Sequence, residues 1–166
     1  MALLYIDGFE YSSYDDLYSR WTLSLSQGNP SPILYPTGGR DGSGCVMVPA
    51  PMLRKYVNLP AGVDIRLGVA FRSTSSSVVP LSIATSGDTL WIWVTSSYIA
   101  IGSGSSVVEV SYNTNIILND WNYVEWKMQI SNSITANSCV VKLNGVEVIN
   151  MPEGSDTMFL SSNAIT

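Results

Sequence analysis

The sequence contains no histidine. That absence removes Ser-His-Asp triads, Cys-His pairs and histidine-ligated metals at one stroke. Charge is scarce as well: 13% of the 166 residues are charged, and the net charge is −5. The cations (Arg20, Arg40, Arg54, Lys55, Arg66, Arg72, Lys127, Lys142) are scattered, with only Arg54 and Lys55 adjacent. No basic patch can therefore replace the counterions of a phosphate backbone, which excludes nucleic acid as a partner. No apolar run approaches the roughly 18 residues of a membrane-spanning helix. The N-terminus has no basic stretch followed by an apolar one, so the expectation is cytoplasmic synthesis without a signal peptide. Cysteine is limited to Cys45 and Cys139, far apart in the chain. In a reducing compartment they read as two small buried hydrophobes rather than a bridge.

What is present is apolar alternation. Hydrophobic residues make up 46% of the chain, enough to rule out disorder and to fill the core of one domain spanning 1–166. Val124, Trp126, Met128 and Ile130 alternate with Tyr123, Glu125, Lys127 and Gln129, the period of a strand with one buried face. Downstream, Val141 and Leu143 precede Asn144-Gly145, and Val146 and Val148 follow. Asn-Gly accepts the two positive φ angles of a type I′ turn, so a hairpin is expected here. Asp64 to Arg72 reads as a further strand, with Ile65, Leu67, Val69 and Phe71 on one face. Leu81–Ala84, Thr89–Thr95, Tyr98–Ile101 and Val107–Tyr112 form a meander, with turns at Gly87-Asp88, Ser96-Ser97 and Gly102-Ser103-Gly104. Shorter strands are expected at Leu3–Ile6, Cys45–Val48 and Leu53–Val57, and a last one near Phe159–Ile165. One helix is expected, starting at a Ser13 cap and ending near Arg20-Trp21, with Tyr14, Leu17, Tyr18 and Trp21 as a stripe that docks on a sheet. The sum is an all-β chain, a two-sheet antiparallel jelly-roll sandwich with one short N-terminal helix.

The catalytic inventory is thin. Jelly-roll glycosidases need paired carboxylates about 5 Å apart, and Glu109, Glu125, Glu147 and Glu153 each stand alone in their segments. Asp15-Asp16, or Asp41 with Asp156, could contribute oxygens to calcium, but helix N-terminal charge and turn chemistry account for them better. Gly38 to Gly44 is glycine-rich without the lysine and helix of a phosphate loop, so it reads as a turn. Trp121 reads as a structural cap at one end of the sandwich. No cofactor, metal or catalytic residue is expected, and the chain does not read as an enzyme.

The aromatic residues are the candidate site. Trp91 and Trp93 share one face of a strand whose other face carries Leu90, Ile92 and Val94. Such a strand is covered on both sides or meets a partner. Three readings are open: core packing under the helix with Tyr14 and Trp21, a subunit interface, or a platform on which sugar rings stack. Tyr98 and Tyr112, on neighbouring strands, extend any of the three.

The opening Tyr5-Ile6-Asp7-Gly8-Phe9-Glu10, the short helix ending in Arg20-Trp21-Thr22, and the Gly39-Arg40 turn come first in a familiar order of motifs. Gly68-Val69-Ala70-Phe71-Arg72, Trp121-Asn122-Tyr123-Val124-Glu125-Trp126, Leu143-Asn144-Gly145-Val146 and Ser155-Asp156-Thr157 continue it. This order, spread over nearly the whole chain, resembles the concanavalin A-like (laminin-G-like) jelly-roll domains of tailed-bacteriophage virion proteins. Those domains close with a further C-terminal strand beside the first; here the chain stops at Thr166, which predicts that the strand is missing or supplied by a neighbour. The resemblance implies a non-enzymatic structural protein on the outer surface of a virion, as a head decoration or tail-associated subunit. Its partners would be capsid or tail proteins and copies of itself. The alternative is a carbohydrate-binding adhesion module of a tail fibre, contacting host surface glycans.

Overall fold

The computed structural model describes residues 13–20, 22–24, 33–35, 37, 39, 45–47, 52–54, 64–84, 89–112, 116–129 and 138–152. The strands expected at Leu3–Ile6 and Phe159–Ile165 lie outside them, as do Trp21, Ile130 and the Gly87-Asp88 turn. The chain divides into two compact units, Met1–Val57 and Asn58–Thr166.

In the first unit, helix α1 spans Tyr14–Arg20. It starts where the cap was expected: Asp16 N donates to Ser13 Oγ at 3.2 Å, and Leu17 N donates to Ser13 O at 3.2 Å. Asp15 and Asp16 place negative charge on the positive end of the helix. Of the expected docking stripe, Leu17 is fully buried, whereas Tyr14 and Tyr18 are 44% and 42% exposed and Trp21 lies outside the described residues. Among the described side chains of the helix Leu17 alone is buried; the tyrosine rings lie 6.1 Å apart. Strand β1 (Thr22–Ser24) pairs antiparallel with β4 (Met52–Arg54). Strand β2 (Ile33–Tyr35) pairs with β3 (Cys45–Met47).

The second unit holds two four-stranded antiparallel sheets. Strand β5 (Asp64–Arg72) matches its expected bounds. The chain then leaves for the second sheet and lays down β6 (Ser77–Ala84), β7 (Thr89–Thr95), β8 (Ile99–Ser103) and β9 (Ser106–Ser111) as a meander in chain order. It returns as β10 (Trp121–Gln129), which pairs with β5 on one side and β11 (Ser138–Leu143) on the other. Strand β12 (Val146–Met151) completes the order β12-β11-β10-β5.

Strands β4, β8 and β9 start one residue away from the sequence reading and β9 ends one residue early; two boundaries within the described residues differ by more. Strand β6 begins at Ser77 rather than Leu81, because the register shift between Val78 and Leu81 absorbs Pro80. Strand β8 runs on to Ser103, and the turn is made at Gly104-Ser105, where Gly104 has φ +56°. Gly102 was read as a turn residue; it is a strand residue that lies beneath an indole.

The core lies between the two sheets. Leu90, Ile92, Val94, Ile99 and Ile101 of the meander meet Val124, Trp126, Met128, Val141 and Leu143 of the other sheet. The alternation read along β10 holds: Val124, Trp126 and Met128 are buried, and Glu125 and Lys127 are exposed. Trp126 buries its whole indole and still satisfies its N–H, which donates to Cys139 Sγ at 3.0 Å. Between β11 and β12, Asn144 and Gly145 adopt φ of +52° and +82°, the pair of positive values that a type I′ turn needs.

Candidate interaction face

Period-two alternation along β7 sends Leu90, Ile92 and Val94 into the core and leaves Trp91 and Trp93 on the outer face of the meander sheet, half-buried. Across the ladder, Trp91 faces Gly102 and Trp93 faces Ala100. Those two small residues leave a hollow that the indoles fill. A Cβ on Gly102 would stand inside the Trp91 benzo ring, against Cζ2, Cη2 and Cε2 together. Three consecutive ring atoms at similar range mean that this ring lies face-on to the sheet.

Each indole N–H is tied inside the sheet. Trp91 Nε1 donates to Gly104 O at 2.8 Å, and Trp93 Nε1 donates to Ser77 Oγ at 2.6 Å. Trp93 stands at 75° to Trp91, with ring centroids 6.1 Å apart. Tyr98 follows at 5.8 Å from Trp93, and Tyr112 at 6.3 Å from Tyr98, both edge-to-face. All four residues expected to form the site are thus joined in one row of rings. Tyr112 ends the row at 79% exposure. The reading that placed Trp91 and Trp93 beneath the helix would join the two units, and Trp21, which it required, lies outside the described residues. The sequence reading missed Gly102, Ala100 and Ser77. A Trp-x-Trp strand followed by a strand with Ala and Gly two apart was the available sign.

The opposite exterior has another chemistry. On the outer face of β5 and β10, Trp121 opposes Arg72, Tyr123 opposes Ala70, Glu125 opposes Gly68 and Lys127 opposes Arg66. Lys127 Nζ lies 3.6 Å from Asp64 Oδ2 in an exposed pair, worth no more than about 1 kcal/mol. Tyr123 lays its hydroxyl end over Gly68, so the glycine makes room for the ring.

The end of the sandwich next to Trp121 is held by the residue after it. Asn122 is 1% exposed. Its Nδ2 donates to Ile117 O at 2.8 Å and Asp120 O at 3.0 Å, and its Oδ1 accepts from Ile117 N at 2.9 Å and Asn144 Nδ2 at 3.0 Å. Asn144 Oδ1 in turn accepts from Tyr123 N at 2.8 Å. One amide therefore binds the loop preceding β10 to the β11–β12 turn. Trp121, expected to cap this end, lies opposite Arg72 on the outer face; it is Asn122 that ties loop to turn, and its signal in the sequence is only an Asn at a core-facing position of the strand.

Among the described residues the candidate carboxylates sit on three different strands. Glu125 is on the outer face of β10, Glu109 on the edge strand β9, and Glu147 Oε1 accepts from Asn150 Nδ2 at 2.8 Å; Glu153 lies outside the described residues. Among the described residues there is no group of three His, Cys, Asp or Glu able to hold a metal ion. Asp15 and Asp16 are in the first turn of α1, while Asp41 and Asp156 lie outside the described residues. Both cysteines are free. Burial pushes the Cys139 thiol up to about 12, against a smaller downward pull from the Trp126 N–H. A thiol so desolvated is a packing group, not a nucleophile. No family model matches the chain, and neither the curated proteins nor the solved structures contain one similar to it.

Proposed function

We propose that this chain is a non-enzymatic structural protein of a tailed-bacteriophage particle, a concanavalin A-like jelly-roll carried on the outer surface as a head decoration or tail-associated subunit. It works by non-covalent association. The observation behind the reading is the two-sided exterior of the sandwich. One outer face carries a row of aromatic rings, and the other carries Asp64, Arg66, Glu125 and Lys127 in mixed sign. Charges of alternating sign fix the register of a neighbouring subunit, and a stable contact of that kind covers about 800 Å² per partner. Closed symmetric oligomers are the default for such a subunit. The order of sequence motifs supports the phage assignment.

The test is mass spectrometry of purified particles together with immunogold imaging. The chain should be present in fixed stoichiometry, with label on the exterior. Particles lacking the chain, or purified protein that hydrolyses a polysaccharide, would refute the reading. A second reading, glycan adhesion, is favoured by one specific observation: the Trp91 ring lies flat on the sheet.

A further inference from the structure

We propose that the aromatic face binds an uncharged glycan, with the Trp91 indole as the floor of a subsite for one pyranose ring and Trp93 as its wall. The proposal deepens the reading of the chain as a surface-displayed, non-enzymatic module by giving that module a ligand.

The floor comes first. Because Cε2, Cζ2 and Cη2 of Trp91 all crowd the place of a Gly102 Cβ, one face of the ring is packed against backbone and the other points away from the sheet. Its N–H is spent on Gly104 O, so the ring cannot swing, and what it offers outward is a π face. That face carries partial negative charge and attracts the weakly positive C–H groups of a sugar ring. The wall is Trp93, at 75° to the floor and fixed by its bond to Ser77 Oγ. A ring stacked on Trp91 would set its edge against Trp93. Tyr98 and Tyr112 prolong the row and bring phenolic hydroxyls that can donate and accept.

The surroundings decide the class of ligand. Among the described residues, the outward positions beside the rings are Ser82, Ala100, Gly102, Val107 and Val110, none of them charged. Among these positions there is no cation to pair a carboxylate or sulfate, so the sugar is neutral. The core of a protein–protein interface adds Met, Arg and further large side chains to its aromatics. Here the rings are set among Ser, Ala, Gly and Val, with no Met or Arg between them, which suits hydroxyl-rich rings that slide along a flat strip.

Isothermal titration of the intact chain tests this, with cellohexaose, chitohexaose and maltohexaose as uncharged probes and a heparin hexasaccharide as the charged one. The expected result is saturable binding of at least one uncharged probe and none of heparin. Tyr112→Ala alters a residue 79% exposed and spares the fold; it should weaken binding several-fold. Trp91→Ala should weaken it about tenfold or more, with an unchanged far-UV spectrum establishing that the variant is folded. Glu125→Ala, on the other exterior, should bind like the parent. Failure of all three uncharged probes, indifference to both aromatic substitutions, or equal binding of heparin would overturn the proposal. So would sedimentation showing a dimer that Tyr112→Ala dissociates, since a second copy would then occupy the face. A chain present on particles that binds no sugar would sink this proposal alone; a sugar binder missing from particles would sink the phage assignment alone.

Discussion

Replacing Asn122 by Ala removes four hydrogen bonds with one truncation, and the structure allows the cost to be worked out. The amide donates to Ile117 O and Asp120 O and accepts from Ile117 N and Asn144 Nδ2, all at 2.8–3.0 Å. At a net value of about 1 kcal/mol per bond, the upper figure is about 4 kcal/mol. Ile117, Asp120 and Asn144 are themselves exposed, so water can re-pair part of what they lose. The expected destabilisation is therefore about 3 kcal/mol. Urea denaturation should show it as a lower midpoint with an unchanged slope. Asn122→Asp sharpens the test. It keeps an accepting oxygen but sets a second one against the carbonyls of Ile117 and Asp120, so at neutral pH it should cost more than Ala. Lowering the pH should recover part of the loss, because a protonated carboxyl can donate one bond. An Ala variant within 1 kcal/mol of the parent would refute the idea that this amide holds the end of the sandwich.

Gly145 has φ +82° and nothing within reach of an added Cβ, so Gly145→Ala should cost about 1 kcal/mol from backbone strain alone, measured by thermal melting. Cys139 titrates at 9.0 when unperturbed and at about 12 in the fold. The folded state therefore holds its proton longer than the unfolded state. Stability should be flat below pH 9 from this group and fall by up to about 1.4 kcal/mol per pH unit above it; Cys139→Ala should abolish that slope in pH-dependent melts. Native protein should leave Cys139 unlabelled by iodoacetamide, with labelling appearing only on unfolding. Gly102→Val should lift the Trp91 ring off the sheet and break its bond to Gly104 O, red-shifting tryptophan emission; an unchanged spectrum would mean that the ring does not rest on Gly102.

The parts of this fold that were legible in the sequence are those fixed by local chemistry. Alternation gave β5 its bounds and β10 its buried face, and Asn144-Gly145 gave the hairpin its turn, because period two and positive φ are properties of a few adjacent residues. The Ser13 cap belongs to the same kind. The misreadings involve residues whose role depends on another strand. Gly102 looks like a turn until Trp91 is placed over it. Pro80 looks like a strand breaker until a bulge accommodates it. Tyr14 and Tyr18 look like part of a docking stripe until the short helix is seen to bury Leu17 and leave both tyrosines exposed. For the site, Trp91, Trp93, Tyr98 and Tyr112 could be singled out as a group because aromatic residues on successive strands fall near one another. Their order along the row and the tilt of each ring follow from cross-strand register, which no single strand encodes.

The pairing of β5 with β10 has a consequence for how the protein is made. During synthesis, β5 leaves the ribosome well before its partner, and the whole β6–β9 meander must be threaded through the exit tunnel in between. Until residues 121–129 emerge, β5 has no neighbour on the side that β10 will take, and its apolar face is open to any other strand at hand. The meander, whose strands pair in chain order, can assemble early but shelters that face only in part, because the β5 edge that awaits β10 stays unpaired. Ribosome-bound fragments ending before Trp121 should accordingly recruit chaperones, and those extended past Met151 should release them.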